Sequence, residues 1–248
     1  QGTPSVKPKK IAKLEPILWD GWQRPTKTML ETMASALVGK DPSTIEHHYQ
    51  WLYRSSHFMG SVVQGALSAI DIALWDIKAK RFDTPIYDLM GGKTRDRVRC
   101  YMHVGGHTLD ELVADGLAKV EQGFTAIRFS PFAPDYHLHK SYAEWADEAV
   151  RRVGALREAV GNAVDLCVEI HRQMNPAESI WLGRRLEQFH PYFYEDPMLP
   201  DSPAIMGEVQ AQCNIPIATG ERFASIFEYQ QLLDVRATSY IRPDVCLC

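Results

Sequence analysis

The sequence predicts an α/β fold built on a parallel sheet, and three observations carry the prediction. From Val98 onward, short apolar runs alternate with stretches of helical periodicity, the pattern of successive βα units. A helix-rich first third is set apart from that alternation by Pro85 and Gly91-Gly92, which break regular structure. Three of the strand-like runs, "VEIH", "YFYEDP" and "ATGER", finish on Glu169, Glu195 and Glu221, at two equal intervals of 26 residues. About one βα unit fits in each interval.

The elements follow in order. Residues 1–30 are irregular, with Pro4, Pro8, Pro16 and Pro25, and hold one strand around 11–18. A helix is expected over 28–37, ending at Gly39, and another restarts after Asp41-Pro42-Ser43 and runs to 51–53. The strongest helix is 61–80, where Ala66, Ile70, Ala73, Leu74 and Ile77 recur at helical spacing and Asp76 and Lys80 form an i,i+4 pair. A boundary near Gly92 divides a first domain, 1–92, from a second, 93–248. In the second, strands are expected over 98–103, 125–130, 164–171, 191–195, 216–221 and 239–248. Helices are expected over 109–122, 141–160, 176–189, 202–213 and 225–235.

Composition narrows the function. With 45% hydrophobic and 23% charged residues the chain is an ordinary globular one. A net charge of −4, with basic residues bunched only at 7–10, excludes a nucleic-acid surface and points to small-molecule partners. Five cysteines without a CxxC pair predict reduced, buried thiols and a cytoplasmic protein. No stretch reaches the ~20 apolar residues of a membrane span, and no signal peptide is recognisable, so no membrane partner is expected.

Glu169, Glu195 and Glu221 are expected on neighbouring strands at one height, on the face where parallel barrels keep their active sites. Three adjacent carboxylates repel, and a divalent cation relieves the repulsion. The set is oxygen-only, which suits Mg²⁺ better than zinc. Taken singly, a glutamate after a strand is more often a solvated loop residue; three in register are less easily accidental. Alternation along a strand puts His171 on the same side as Glu169. Beside a metal an imidazole is a candidate general acid or base, and without one it is a surface histidine at a strand end.

These residues resemble the enolase superfamily, in its mandelate-racemase subgroup, and within that the sugar-acid dehydratases of the galactonate type. The resemblance rests on "SAIDIALWDIKAKRFDTPIYDLMGG" (68–92), "VEIH", "FYEDP", "ATGER" and "RPDV" (242–245). It implies an α+β capping domain, shortened here, followed by a modified TIM (β/α) barrel. It implies Mg²⁺ held by Glu169, Glu195 and Glu221; the first of these is commonly Asp in the subgroup, so Glu169 departs from the pattern while keeping the charge. It further implies a lyase that removes the proton α to a carboxylate of a sugar acid and expels water, giving a 2-keto-3-deoxy acid. In that pattern His171 is the acid that helps the β-hydroxyl leave. Asp244 orients a histidine base on the following strand, and the protein is a homo-oligomer.

Where racemases and cycloisomerases of the subgroup carry Lys-x-Lys, this chain has Arg128-Phe129-Ser130. An arginine stays charged and makes a poor base, which disfavours racemase, epimerase or cycloisomerase chemistry and leaves Arg128 to bind a substrate carboxylate or to pair with a glutamate. Arg222, beside Glu221, is a further substrate-binding candidate, as are Tyr136 and His137 in the loop "APDYHLHKSY" (133–142), unless these loop side chains are simply solvated. Six strands are counted; the seventh and eighth, with the expected base, are not among these 248 residues. Six cannot close such a barrel. The expectation is therefore a piece of a longer chain, with a partner-completed barrel or a non-catalytic relative as the alternatives.

Overall fold

The computed structural model describes residues 22–132 and 140–247. The strand expected over 11–18, and Tyr136 and His137, lie outside the described residues. The chain divides into two compact units: one takes the chain up to Asp96 with Arg222–Ile226 and Pro243–Cys248, the other Arg97–Glu221 with Phe227–Arg242.

The first unit is helical. It holds α1 (Gln23–Leu37), α2 (Ile45–Ser55), α3 (Ser61–Arg81) and the single turn α4 (Ile86–Leu89). The first helix starts a turn before the expected residue 28. Pro25 falls in that extra turn, where a missing N–H costs nothing. On α3, Val63, Ala66, Leu67, Ile70 and Leu74 recur every three or four residues and bury a stripe against Met33 of α1 and Ile45 and Leu52 of α2. Lys80 pairs with Asp76 at 2.5 Å. No helix among the described residues is long and apolar enough to cross a membrane.

The second unit is a run of βα units: β1 (Met102–His103), α5 (Leu109–Glu121), β2 (Ala126–Phe129), α6 (Tyr142–Val160), β3 (Asp165–Glu169), α7 (Pro176–Leu186), β4 (Phe193–Glu195), α8 (Pro203–Gln212), β5 (Ile217–Thr219), α9 (Ile226–Asp234) and β6 (Tyr240–Ile241). The six strands lie side by side in chain order, and every pair is parallel. This is the strand order of a (β/α) barrel.

Alternation sorts the side chains of the sheet. Leu166, Val168 and Ile170 join a core with Leu112 of α5, Trp145, Val153 and Leu156 of α6 and Leu182 of α7. The intervening Cys167 packs on the other face with Phe193, Ala218 and Tyr101. The α5–α6 packing is close enough that a Cβ on Gly116 would stand 2.6 Å from Leu156 Cδ1.

Two expected strands are shorter in the structure. The run 98–103 pairs only at Met102–His103. Of the run 239–248, the described residues form a strand at Tyr240–Ile241. Pro243 has no N–H to continue a ladder, and the chain then turns, with Leu247 N donating to Asp244 O at 2.9 Å. Asp244 therefore stands in the turn after β6 and not on the strand.

Candidate active site at the strand ends

The C-terminal end of β3 meets that of β4 in register, Glu169 opposite Glu195. Both sit on the face of Cys167 and Phe193, and both are buried, Glu195 completely. Equal height, expected for all three glutamates, holds for these two. Glu195 stands opposite Ala218 of β5, so Glu221 lies three residues farther along. The strand ends at Thr219, and Gly220, at φ +132°, turns the chain before Glu221. A side chain at 220 would also meet the Tyr229 ring, 2.8 Å from its Cβ, whose hydroxyl donates to Gly220 O at 2.9 Å.

Arginines supply the counter-charge. Arg128, half-buried on β2, donates to Glu195 through Nε at 2.5 Å and Nη2 at 3.0 Å, and also pairs with Glu169. Arg242, just past β6, pairs with Glu195 and lies over the Tyr101 ring, 5.6 Å from its centre. Arg172 bridges Asp196, at 3.1 Å, and Glu221. Burial raises the Asp196 carboxyl above its ordinary value. The Thr219 hydroxyl works against that by donating to Asp196 Oδ1 at 2.5 Å.

His171 is placed differently from the expectation. The strand stops at Glu169, and His171 and Arg172 take left-handed backbone, φ +59° and +66°, a conformation seldom adopted by non-glycine residues. Strand alternation therefore does not govern residue 171. The turn is fixed by backbone donors instead: His171 N–H to Glu169 Oε1 at 2.5 Å and Arg172 N–H to Asp196 O at 2.7 Å. The imidazole Nε2 is 3.0 Å from Arg172 Nη2. Burial pulls its pKa below the usual histidine value, Arg172 and then Arg128 add to the effect, and Glu221 opposes it.

Four residues of this cluster carried no expectation: His103, Arg172, Asp196 and Arg242. His103 ends β1 opposite Arg128, its Nε2 3.3 Å from Arg128 Nη1. Each of the four stands at or within three residues of a strand's C-terminal end. That position is the signal the sequence offers for them: three are basic residues at strand tips, and Asp196 directly follows the strand-ending Glu195. Arg222 and Asp244 belong to the first unit. Arg222 is exposed, and Asp244 Oδ1 accepts from Cys246 N at 2.9 Å.

The donor set suits a hard divalent cation: carboxylate oxygens only, two of the three groups buried. Among the described residues no three His, Cys, Asp or Glu side chains are grouped so as to hold a metal ion.

Comparison with known proteins agrees with the sequence resemblance. Residues 111–248 match the enolase C-terminal domain-like family, and residues 17–91 the N-terminal domain of mandelate racemase / muconate lactonizing enzyme. The D-galactonate dehydratase of Ralstonia nicotianae is 34% identical over 232 residues, which cover 93% of this chain and 60% of that protein. A solved enolase-superfamily member from Salmonella Typhimurium superposes with a TM-score of 0.87 at 28% identity, over 94% of this chain and 66% of that one. An enolase from Agrobacterium radiobacter, bound to Na and L-malate, superposes with a TM-score of 0.84 at 30% identity, over 90% of this chain and 57% of that one. The chain thus spans about 60% of the length of the curated relatives it matches, and it belongs to the mandelate racemase / muconate lactonizing enzyme family of the enolase superfamily.

Proposed function

We propose that the whole protein is a lyase that dehydrates a sugar acid of the aldonate or galactonate kind to a 2-keto-3-deoxy acid, with Mg²⁺ held by Glu169, Glu195 and Glu221. The observation that carries the reading is the pairing of buried Glu169 and Glu195 at the same height of adjacent parallel strands, with Glu221 beyond the end of the next strand. The dehydratase relatives support the reaction class. The Agrobacterium radiobacter structure, solved with Na and L-malate bound, supports a hydroxy acid as the class of ligand.

The chemistry asks for charge control. A proton α to a carboxylate is too weakly acidic for a side-chain base unless the charge that develops is neutralised, and a bound Mg²⁺ supplies that neutralisation. The chain's own residues do the rest. Arg128 offers the remaining guanidinium capacity to the substrate carboxylate, and a guanidinium recognises that group through paired donors. His171 delivers a proton to the departing β-hydroxyl. Burial and Arg172 lower its pKa, which makes its protonated form a stronger acid. Arg222, Tyr136 and His137 are the remaining substrate-binding candidates from the sequence, and the family resemblance gives Asp244 the role of orienting the base.

Turnover of the whole protein on a panel of aldonic and aldaric acids with Mg²⁺ tests the reading. The expected result is one or a few acids converted to 2-keto-3-deoxy product, abolished by Glu195→Gln. Exchange of α deuterium without loss of water would instead assign a racemase or epimerase. Neither product nor exchange from any acid would reject the enzymatic reading.

A further inference from the structure

The guanidinium of Arg128 is pinned from behind. Its Nε and Nη2 donate to the two oxygens of the fully buried Glu195, at 2.5 and 3.0 Å, and Nη2 also pairs with Glu169. A forked pair of this kind fixes the plane of the group as well as its place. The remaining corner, Nη1, faces the exposed ring of His103, 3.4 Å from Nδ1 and 3.3 Å from Nε2. Whichever tautomer the neutral ring adopts, one of those nitrogens is an acceptor for Nη1. The two residues are partners in the parallel ladder. His103 is the last residue of β1 and Arg128 the last but one of β2, at the sheet edge where barrels of this kind meet their substrates.

Arg128 on β2 and Arg242 beyond β6 both set positive charge against the His103 ring. The Tyr101 ring stacks on it, 5.8 Å between centres, and the Tyr101 hydroxyl accepts from Arg242 at 2.5 Å. Glu169 and Glu195 are engaged by the same arginines. Burial first, and then Arg128 and Arg242, hold the His103 pKa below the ordinary histidine value, so the ring is neutral near pH 7. A carboxylate at Nη1 reverses the balance of this corner, because it can accept from the guanidinium and from a protonated imidazole together.

We infer that His103 is a specificity-determining residue, and that with Arg128 Nη1 it forms the corner that receives the carboxylate of the substrate. The inference rests on the proposed binding of that carboxylate by Arg128. The incoming negative charge favours the protonated ring, so binding takes up a proton at His103 and affinity rises as pH falls. A neutral ligand of the same shape gains nothing from the imidazole, which makes the corner selective for an ionised acid.

The test is binding of 3-deoxy-D-galactonate, which has no β-hydroxyl to lose, and of its neutral amide, to the whole protein by calorimetry in buffer containing Mg²⁺. Wild type is expected to bind the acid about fivefold more tightly at pH about 5 than at pH about 8, as one partly exposed ion pair implies, and the amide equally at both. His103→Gln, polar but not titrating, is expected to lose this pH dependence for the acid. A wild-type measurement removes dependence on any variant: binding heats in two buffers of different ionisation enthalpy are expected to show proton uptake with the acid and none with the amide. Acid binding whose pH dependence persists in His103→Gln overturns the role of His103 and leaves the Arg128 reading standing. Equal proton uptake with acid and amide overturns it too. No binding of the acid at either pH removes both readings.

Discussion

At the scale of single residues, the centre of the cluster is Glu195. It is completely buried and is paired with both Arg128 and Arg242; with Glu169 the foursome is neutral. Taking one member from a buried ion network leaves the others uncompensated, typically at a cost of about 3 kcal/mol or more. Glu195→Gln is therefore expected to lower the unfolding free energy by ~3 kcal/mol in urea titrations. Glu221→Gln, at a partly exposed pair, is expected to cost less than about 1 kcal/mol. Equal losses for the two variants would contradict the burial argument. The acidic members of this network were legible in the sequence as strand tips. Arg172 and Arg242 were not, although they stand inside or beside the same motifs. A carboxylate at a strand tip invites a metal reading, whereas an arginine beside it reads as ordinary surface charge until burial is known. His171 was legible as a candidate, but its backbone was not: nothing in "EIHRQ" announces two consecutive left-handed residues.

At the scale of elements, helices were easier to read than strands. Each of α5, α6 and α7 opens with a reciprocal capping box: Thr108 with Glu111, Ser141 with Glu144, Asn175 with Glu178. Each box marks a helix start in the residues themselves. The ends of β1 and β6 carry no such mark. A strand exists only where a neighbour supplies hydrogen bonds, so the runs 98–101 and 243–247 read as strand without pairing as one. The box on α7 also matters to the site, because this helix follows the His171–Arg172 turn after three residues, and its first turn is held by the Asn175 and Glu178 side chains at 3.0 and 2.8 Å. Asn175→Ala is expected to cost about 1 kcal/mol by removing the cap, measured by chemical denaturation. Asn175→Asp, which keeps the acceptor, is expected to stay within about 0.5 kcal/mol of wild type. If alanine and aspartate behave alike, the cap is not what holds this turn.

At the scale of the molecule, the parallel order of six strands could be read from the rhythm of the chain, since each βα unit of this fold follows the last into the neighbouring place in the sheet. What the rhythm could not supply is the behaviour of the sheet's margins. In the described sheet β6 pairs with β5 on one side, and its other side carries backbone donors and acceptors with no described strand opposite. Ile241 on this margin is 46% exposed. An apolar strand at a sheet edge is a template for pairing with another chain. The 248-residue chain, prepared alone, is therefore expected to self-associate as its concentration rises, and Ile241→Lys to suppress that association, both read by light scattering during size-exclusion chromatography. The comparison variant is Leu117→Lys, which places the same charge on a similarly exposed apolar residue of α5, away from any strand margin. If association comes from the edge, the first substitution abolishes it and the second leaves it unchanged. If both suppress it equally, association follows general surface hydrophobicity and net charge, and the margin of β6 has no special part in it.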